Sequence, residues 1–347
     1  MYLKQIILQH FRSYSNKHLV FSDAVTIVVG PNTAGKTNLI EAIVLLSSGK
    51  TFRSGGDSIL TQDGQDIGRV QGLIEDDTTK LKREVTLVKG ERFSKRYLLN
   101  GIVKSRSKFM GDLPFVLFHP GDLNMVIEGP AIRREFLDAI LEQTNNAYAL
   151  SRMQYDKALK QRNALLAKAK EKGRKVREEF RYWDDLLISH GSIITEKRGQ
   201  LLSAFQKEEK QLFNFSVSYD PSIISEERLK QYEQAEIAAG ITLVGPQRDD
   251  FILKLSDDKS LKDFGSRGQQ RLVVLQMKLL QIQYMTERLQ KRPLLLLDDI
   301  FSELDKEHIA AVLSHVTQGQ VIITTTHEEF IPVSTREKAY VVQLTSV

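Results

Sequence analysis

The sequence contains no cysteine among its 347 residues. Without thiols the chain forms neither disulfides nor thiolate metal sites, and this composition is typical of a protein from a reducing cytoplasm. No apolar run approaches the roughly 20 residues that a membrane-spanning helix needs. Residues 1–15 lack the apolar core and small-residue cleavage site of a secretory signal. We therefore expect a cytoplasmic protein with no membrane partner.

The sequence also has little excess charge. Lysine and arginine number 49 against 44 aspartates and glutamates, which gives a formal net charge of +5. This mild balance favours a polyanionic partner such as nucleic acid, but it does not identify one, because many basic proteins bind none. Hydrophobic residues make up 41% of the chain and charged residues 27%. The chain can therefore build an ordinary globular core, with length for about two domains.

A phosphate-binding loop is predicted where the sequence reads GPNTAGKTN. It follows the strand-like run AVTIVV and precedes the helix-like run LIEAIVLL, so backbone N–H groups and the helix dipole would face a phosphate. In this pattern Lys36 would reach the β- and γ-phosphates of ATP, and Thr37 would hold Mg²⁺ through its hydroxyl. The residues expected to contact the nucleotide are Gly30, Pro31, Asn32, Thr33, Ala34, Gly35, Lys36, Thr37 and Asn38.

A second nucleotide element is the run PLLLLDDIF at Pro293–Phe301. Four consecutive leucines are typical of a strand buried on both faces, and acids at its end would face the carboxyl edge of a sheet. Asp298 is suited to binding Mg²⁺, and Asp299 is suited to polarising the attacking water. Because the phosphate loop lies near the start of the chain and this run near its end, we predict one sheet assembled from both termini.

The middle of the chain, residues 133–210, has an almost purely helical pattern. Two sets of large side chains recur at steps of seven and four residues on either side of a polar turn around Gly173. We predict a short antiparallel coiled-coil arm over about residues 145–205, although an ordinary helical subdomain would give the same pattern. The two sets are Tyr148, Tyr155, Leu159 and Leu166, and Trp183, Leu187, Ile194, Leu201 and Phe205.

The predicted arm is basic, with ten lysines and arginines against four acids from Asp156 to Arg181. Such a patch without interleaved aromatic residues would contact the phosphate backbone of DNA rather than its bases. A solvated helical face explains the charge equally well. The candidate DNA contacts are Lys157, Lys160, Arg162, Lys168 and Lys170.

The segment Gly265–Gln281 resembles the signature segment of ABC-type ATPases. In that family a Ser-Gly-Gly-Gln-like loop opens a helix and contacts the γ-phosphate bound to the opposite subunit. The matching residues here are Ser266, Arg267, Gly268 and Gln269. A helix N-terminus is itself an anion site, so the resemblance implies a homodimer that forms on ATP. It also covers the D-loop-like Ser302–Asp305 and His327, which takes the place of a switch histidine.

Further segments resemble the RecF family of SMC/Rad50-like ATPases, over about residues 1–327. They are FRSY at Phe11–Tyr14, RREFLD at Arg133–Asp138, LKQRNALL at Leu159–Leu166, WDDLL at Trp183–Leu187 and GPQRDD at Gly245–Asp250. The resemblance implies an ATPase with weak, DNA-stimulated hydrolysis that binds double-stranded DNA and single-/double-strand junctions. It also implies a role in DNA replication, repair and the SOS response. That role is to load the RecA recombinase at single-strand gaps, with RecO and RecR as partners.

The family roles transfer to positions that match its motifs. The implied catalytic residues are Lys36, Asp298, Asp299 and His327, with Thr37 and Asp298 holding Mg²⁺ and with Arg12, Ser13 and Arg53 as further candidates to line the nucleotide. Three departures stand out. Gln247 occupies a position where we expect histidine, Asp299 one where many ABC-type ATPases have glutamate, and Phe118–Leu123 offers no convincing Q-loop glutamine.

We therefore predict an α/β fold, an ABC-type ATPase head with mixed sheets built from both termini. Lobe I would comprise residues 1–112 and 292–347, and a helical lobe II, residues 113–291, would carry the arm and the signature segment. Two alternatives share the nucleotide motifs. One is the ATPase subunit of an ABC-type transporter, which membrane fractionation would test, and the other is an ATPase coupled to a nuclease, which would have longer arms or an added acidic domain.

Overall fold

The computed structural model describes residues 1–53, 55–76, 78–172, 177–300 and 319–345, with only the backbone described at Lys172 and Arg177. The D-loop-like Ser302–Asp305 and the tip of the predicted arm around Gly173 lie outside the described residues.

In the described chain, strands predominate up to Phe118 and helices from Asn124 to Lys207, and both types follow. The strands are β1 (Tyr2–Phe11), β2 (Tyr14–Val20), β3 (Val25–Val29), β4 (Ile67–Glu75), β5 (Lys80–Val88), β6 (Ser94–Leu99), β7 (Ile102–Lys104), β8 (Phe115–Phe118), β9 (Ser216–Asp220), β10 (Asp250–Lys254), β11 (Leu294–Asp298), β12 (Val321–Thr325) and β13 (Tyr340–Gln343). The α-helices are α1 (Lys36–Ser48), α2 (Arg106–Phe109), α3 (Asn124–Ile127), α4 (Pro130–Thr144), α5 (Asn146–Lys172), α6 (Arg177–Lys207), α7 (Glu226–Gln231), α8 (Glu233–Ala239), α9 (Leu261–Phe264), α10 (Arg267–Leu289) and α11 (Val333–Arg336).

A five-stranded parallel sheet joins the two ends of the chain. Its strand order is β13-β3-β12-β11-β8. The N-terminal strand β3 thus lies between two C-terminal strands, which confirms the prediction of a sheet built from both termini. Every residue of β11 and β12 is buried, as expected for parallel strands covered on both faces. The carboxyl ends of β3, β11 and β12 meet at one edge, where the nucleotide motifs lie.

A six-stranded antiparallel sheet has the strand order β2-β1-β4-β5-β6-β7. All six strands lie within residues 2–104. One face is apolar and packs on α1, where Ile6 and Leu8 join Leu39 and Ile43 in a single core. The other face is only partly covered, because alternate residues along β1 and β4 are half-buried or exposed. Burial on one side is the usual pattern for an antiparallel sheet. Parallel and antiparallel strands are therefore segregated into separate sheets.

The helices α5 and α6 form an antiparallel pair. Leu166 packs with Phe180, Arg162 bonds to Asp184, and Arg198 bonds to Tyr148. From Tyr148 to Leu166 the residue numbers on α5 increase, whereas those of the contacting residues on α6 decrease from Arg198 to Phe180. The two helices therefore run in opposite directions. The pair also contacts α4, α8 and β9, so much of it is packed against other elements. The antiparallel arrangement is as expected from the sequence, whereas coiled-coil packing stays a prediction.

The chain divides into two compact units. The first comprises residues 1–122 and 281–347, and the second comprises residues 123–280. The predicted lobe II, residues 113–291, is longer at both ends. The predicted lobe starts too early because β8 pairs with β11 of the first unit. It ends too late because the last turns of α10, from Gln281, belong to the first unit.

Candidate nucleotide site and signature segment

The phosphate loop connects the end of β3 to the start of α1 and is closely packed. Gly35 has a φ of 89°, a left-handed conformation that favours glycine. A Cβ at Gly35 would lie 2.8 Å from the Tyr14 hydroxyl, which donates a hydrogen bond to the Gly35 carbonyl at 3.0 Å. A Cβ at Gly30 would lie 2.8 Å from the Leu344 carbonyl oxygen. Packing against the rest of the fold therefore favours glycine at both positions of the motif.

The Lys36 ammonium lies inside this loop. Its Nζ donates to the carbonyl oxygens of Gly30 at 2.7 Å and Pro31 at 3.0 Å, and the side chain is buried. Burial lowers the pKa of the Lys36 ammonium, and the negative charges of Asp299 and Asp298 oppose that lowering. The lysine and both acids therefore lie within electrostatic reach of one another. A phosphate oxygen entering the loop would meet a preformed cation beside two carboxylates.

The two acids at the end of β11 have different surroundings. Asp298 is buried and accepts a hydrogen bond from the Thr324 hydroxyl at 2.6 Å. Asp299 has a φ of 52°, and its backbone N–H donates to the Thr324 carbonyl at 3.1 Å. Burial raises the pKa of the Asp299 carboxyl, while the nearby Lys36 lowers it. The Asp298 carboxylate is thus held by a hydroxyl, and the raised pKa makes Asp299 a better proton acceptor than an ordinary aspartate.

The oxygen ligands here fit Mg²⁺ in combination with phosphate. Thr37 follows Lys36 at the start of α1, and Asp298 lies at the same sheet edge. Hydroxyl and carboxylate oxygens are hard ligands, and Mg²⁺ usually combines one or two of them with water and substrate phosphates. Within the described ranges, no group of three or more His, Cys, Asp or Glu side chains could hold a metal on its own. An ion at this edge would therefore need the nucleotide as a co-ligand.

His327 follows β12, which lies between β3 and β11 in the sheet. The His327 N–H donates to the Thr325 hydroxyl at 3.1 Å, and that hydroxyl donates back to the His327 carbonyl at 3.0 Å. The imidazole is 59% exposed and lies 3.2 Å from a Glu329 oxygen. The structure therefore brings the histidine to the same edge as the phosphate loop and the two acids.

Glu41 is a site residue that the sequence analysis missed. Its carboxylate is fully buried and accepts two hydrogen bonds from the Arg12 guanidinium, at 2.8 and 2.7 Å. Arg53 approaches the same carboxylate at 3.8 Å, and Thr51 donates its hydroxyl. A lone acid within the apolar run LIEAIVLL was the available signal, because a buried carboxylate needs a cationic partner.

A chain of hydrogen bonds joins this cluster to the phosphate loop. Asn38 donates to the Ser13 hydroxyl at 2.9 Å and accepts from Arg53 at 3.0 Å. Arg12, Ser13 and Arg53, which the sequence analysis named as candidates, are therefore held beside the loop. Their contact with a nucleotide stays a prediction.

The signature segment begins α10 with reciprocal hydrogen bonds. The Ser266 hydroxyl accepts from the Gln269 N–H at 3.2 Å, and the Gln269 side chain accepts from the Ser266 N–H at 2.9 Å. This is a capping box, which satisfies two of the free donors at a helix start. Ser266, Arg267 and Gly268 are exposed, and Phe264 just before them is 65% exposed. The predicted signature loop is thus an ordered and open helix N-terminus in the second unit.

One candidate DNA contact on α5 requires correction. Lys157, Lys160, Lys168 and Lys170 are exposed as expected, but Arg162 is fully buried. Its guanidinium donates to Asp184 at 2.6 Å and to Glu236 at 2.7 Å. Arg162 is therefore a structural cation with its charge already paired, and it is not available to a phosphate. The count of basic residues missed this, because it did not consider which side of the helix each one occupies.

The remaining lysines do not form one continuous row. At about 100° per residue, Lys157, Lys160 and Lys168 fall within about 80° of one another, whereas Lys170 lies about 140° from Lys157. The candidate surface on α5 is therefore strongest at the first three lysines.

Several of the family-like segments form the polar core of the second unit. Arg133 of RREFLD bonds to Asp250 of GPQRDD at 2.6 and 3.0 Å. Gln247 accepts from the Tyr155 hydroxyl and donates to the Val244 carbonyl at 2.8 Å. The glutamine that stands where we expect histidine is thus hydrogen-bonded within the unit.

The parallel sheet, the phosphate loop with its acidic partner strand, and the capped signature helix together define an ABC-type ATPase head. None of the described helices combines the length and the apolar character required to cross a bilayer. Comparison with known proteins agrees with this class. The family model for the RecF/RecN/SMC N-terminal domain matches residues 2–346.

Individual relatives narrow the assignment. The DNA replication and repair protein RecF of Moorella thermoacetica is 34% identical over 354 residues, covering 99% of this chain and 94% of that protein. A solved structure of the recombination mediator protein RecF with ATP, in the RecFOR pathway, has a TM-score of 0.87 at 29% identity, covering 95% of this chain and 93% of that one. An Smc head bound to the C-terminal winged-helix domain of ScpA shares the fold, with a TM-score of 0.50 at 17% identity over 95% of this chain and 91% of that one. The chain belongs to the RecF family of the RecF/RecN/SMC group.

Proposed function

We propose that this protein is an ATP-driven dimer that acts on DNA in replication and repair. ATP would bind to the phosphate loop of one copy and be closed by the signature segment of a second copy. The observation that supports the proposal is that one chain contains two candidate anion sites, one buried and one exposed. One is a buried cation in a loop, and the other is an exposed helix N-terminus in the other unit. One chain has no need of both unless the phosphate bridges two copies.

The residues have distinct roles in hydrolysis. Lys36 neutralises the β- and γ-phosphates, and Ser266 with the N–H groups of α10 would contact the γ-phosphate from the other copy. Thr37 and Asp298 are the residues that would hold Mg²⁺, which when bound would screen the phosphate charge. Asp299 orients the attacking water and accepts its proton, and His327 would contact the γ-phosphate. An aspartate is shorter than the usual glutamate, which suits slow, weak hydrolysis; stimulation of that hydrolysis by DNA is part of the proposal.

Binding and hydrolysis would then act as a switch. A nucleotide that contacts both copies stabilises the dimer by mass action. Hydrolysis removes the shared γ-phosphate, so the dimer is weakened and its two copies separate. The closed dimer would present paired basic surfaces, including Lys157, Lys160 and Lys168, to double-stranded DNA and single-/double-strand junctions. With RecO and RecR it would assist in loading RecA at single-strand gaps, with a part in the SOS response. This reading is supported by the full-length match to a DNA replication and repair protein, which does not favour the transporter alternative.

Sedimentation velocity with and without ATP, in the presence and absence of duplex DNA, tests the proposal. We expect a monomer without nucleotide, a dimer with ATP and co-sedimentation of that dimer with DNA. A species whose mass is unaffected by ATP would contradict the shared-phosphate model.

A further inference from the structure

A row of polar side chains crosses the open face of the antiparallel sheet. The strand registers place Gln9 opposite Asn16 on β2 and opposite Arg69 on β4, then Arg69 opposite Thr86 and Thr86 opposite Arg96. We call this set the outer row. Each member can donate a hydrogen bond, and it contains two permanent cations and no acid. Such a row is the natural complement of a chain of anionic oxygens.

The outer row faces solvent rather than the core. Its neighbours along the strands, Val70 and Val85, are fully buried, and successive side chains on a strand point to opposite faces. Arg69 and Arg96 are accordingly exposed, and Thr86 between them is half-buried. At about 4.8 Å between strands, the two arginines are about 10 Å apart and the whole row is about 19 Å long.

The surrounding stretch is more basic than the predicted arm. Residues 80–108 contain ten lysines and arginines but only two acids, Glu84 and Glu91. A few of these cations serve the fold: Arg83 is buried against Asp112, Lys95 pairs with Asp57, and Arg106 donates to the Ser48 carbonyl. The side chains of Lys82, Arg92, Arg96 and Lys108 remain exposed.

Glu84 lies on the same face as the outer row, two residues from Thr86 along β5. Glu84 accepts hydrogen bonds from Gln71 at 2.8 Å and from the Thr86 hydroxyl at 2.9 Å. Both donors are neutral, so Glu84 keeps its negative charge and offsets part of the positive charge of Arg69 and Arg96.

A cavity opens at one end of the same row. It has a volume of about 680 Å³, and Gln9, Asn16 and Arg69 of the outer row line it together with His10, Gln65 and Asp66. The lining provides amide, imidazole and guanidinium donors next to a single carboxylate. A sugar–phosphate unit has the matching mixture of acceptors and hydroxyl donors, so the cavity continues the chemistry of the row.

We propose that the outer row is a docking surface for the phosphate backbone of nucleic acid, with the backbone crossing the strands and one sugar–phosphate unit seated in the cavity. This inference rests on the proposed function, since it assumes a nucleic-acid partner, but it places the contact on the sheet as well as on α5. The proposed contacts go to the sugar–phosphate backbone rather than to base edges, so binding should be independent of sequence.

The test is a fluorescence-anisotropy titration of the full chain with a labelled 30-nucleotide single strand and a 30-base-pair duplex, at several salt concentrations with ATP. The test variant is Arg69→Gln with Arg96→Gln, which removes two charges and keeps polar side chains. The matched control, Lys207→Gln with Lys230→Gln, makes the same charge change at exposed positions of the second unit. A third variant, Lys157→Gln with Lys160→Gln, reports the contribution of α5.

For the test variant we expect roughly tenfold weaker binding, and a slope of log affinity against log salt that is smaller by about 1.4 for the single strand and about 1.8 for the duplex. The matched control should bind like the wild type, and the thermal unfolding midpoint of the test variant should be unchanged. An unchanged slope in the test variant, with normal DNA binding by the wild type, would overturn this inference alone. Equal loss of binding to phosphatidylglycerol vesicles would overturn the assignment to nucleic acid. A wild-type chain that binds no DNA would overturn the proposed function itself.

Discussion

The phosphate loop and the signature segment are both proposed anion sites, but they are built in opposite ways. Lys36 is buried, donates to two loop carbonyls and lies near two carboxylates. Ser266 is exposed, and its hydrogen bonds stay within the first turn of its own helix. The loop is formed within one chain between β3 and α1, whereas the signature segment presents an exposed helix N-terminus. A site that is ordered but open is suited to a ligand brought by another molecule.

In the proposed mechanism this contrast separates nucleotide binding from dimer formation. The loop and its acids would determine whether ATP binds and is cleaved, and the signature segment would determine whether two copies close around it. Variants in the two regions should therefore fail in different ways.

Substitution Lys36→Arg should have the largest effect. A planar guanidinium cannot replace an ammonium enclosed by the Gly30 and Pro31 carbonyls. We expect ATP turnover to fall at least about 100-fold, as for loss of a transition-state donor, together with loss of the ATP-dependent dimer. Turnover assays and sedimentation measure the two effects, and normal values for both would show that this loop is not the nucleotide site.

Substitution Asp299→Asn should separate binding from chemistry. Without the proton-accepting carboxylate, hydrolysis should slow by about 100-fold or more, while ATP still closes the dimer. The variant should accumulate as a long-lived dimer on ATP in size-exclusion chromatography. Rapid turnover would assign the water-orienting role to another residue.

Substitution Ser266→Arg should leave the loop intact but prevent closure, because a long cation would occupy the open helix N-terminus. We expect ATP affinity of the monomer to stay within about twofold of wild type, with a dimer affinity at least about tenfold weaker. Ser189→Arg, at an exposed serine on α6, is the matched control. Equal dimer formation by the Ser266 variant and the control would refute closure by the signature segment.

Substitution Glu41→Gln should affect stability more than chemistry. It leaves the Arg12 guanidinium without its buried counter-charge, so the free energy of unfolding should fall by about 3 kcal/mol. Asp258→Asn removes an exposed partner of Lys254 and should cost less than about 1 kcal/mol. Urea unfolding compares the two variants, and equal losses would mean that Glu41 is not part of a stabilising cluster.

The pH dependence of turnover gives the mildest test. Burial raises the pKa of the Asp299 carboxyl, and the acid must be ionised to accept a proton from water. Hydrolysis should therefore decline as pH falls through this raised pKa, at a higher pH than the value near 4 of an ordinary aspartate. The decline should be absent from the residual activity of Asp299→Asn.

The features that the sequence predicted well are those with strong local patterns. An apolar strand-like run precedes the phosphate loop of Lys36, and four leucines precede Asp298. Each run is next to a nucleotide motif, so the shared parallel sheet was predictable. The outer row was not, because it depends on the register of five strands distant in sequence. Arg162 was misassigned and Glu41 overlooked for a similar reason, since both are decided by partners such as Glu236 and Arg12 that only the fold brings close.

The composite site can be tested most directly by mixing two inactive variants. Lys36→Arg lacks a working loop, and Ser266→Arg lacks a working signature segment, but a mixed dimer would contain one intact site made from both. The account predicts that the mixture hydrolyses ATP faster than the average of the two variants measured separately. A mixture whose turnover equals that average would contradict the claim that two copies share one nucleotide.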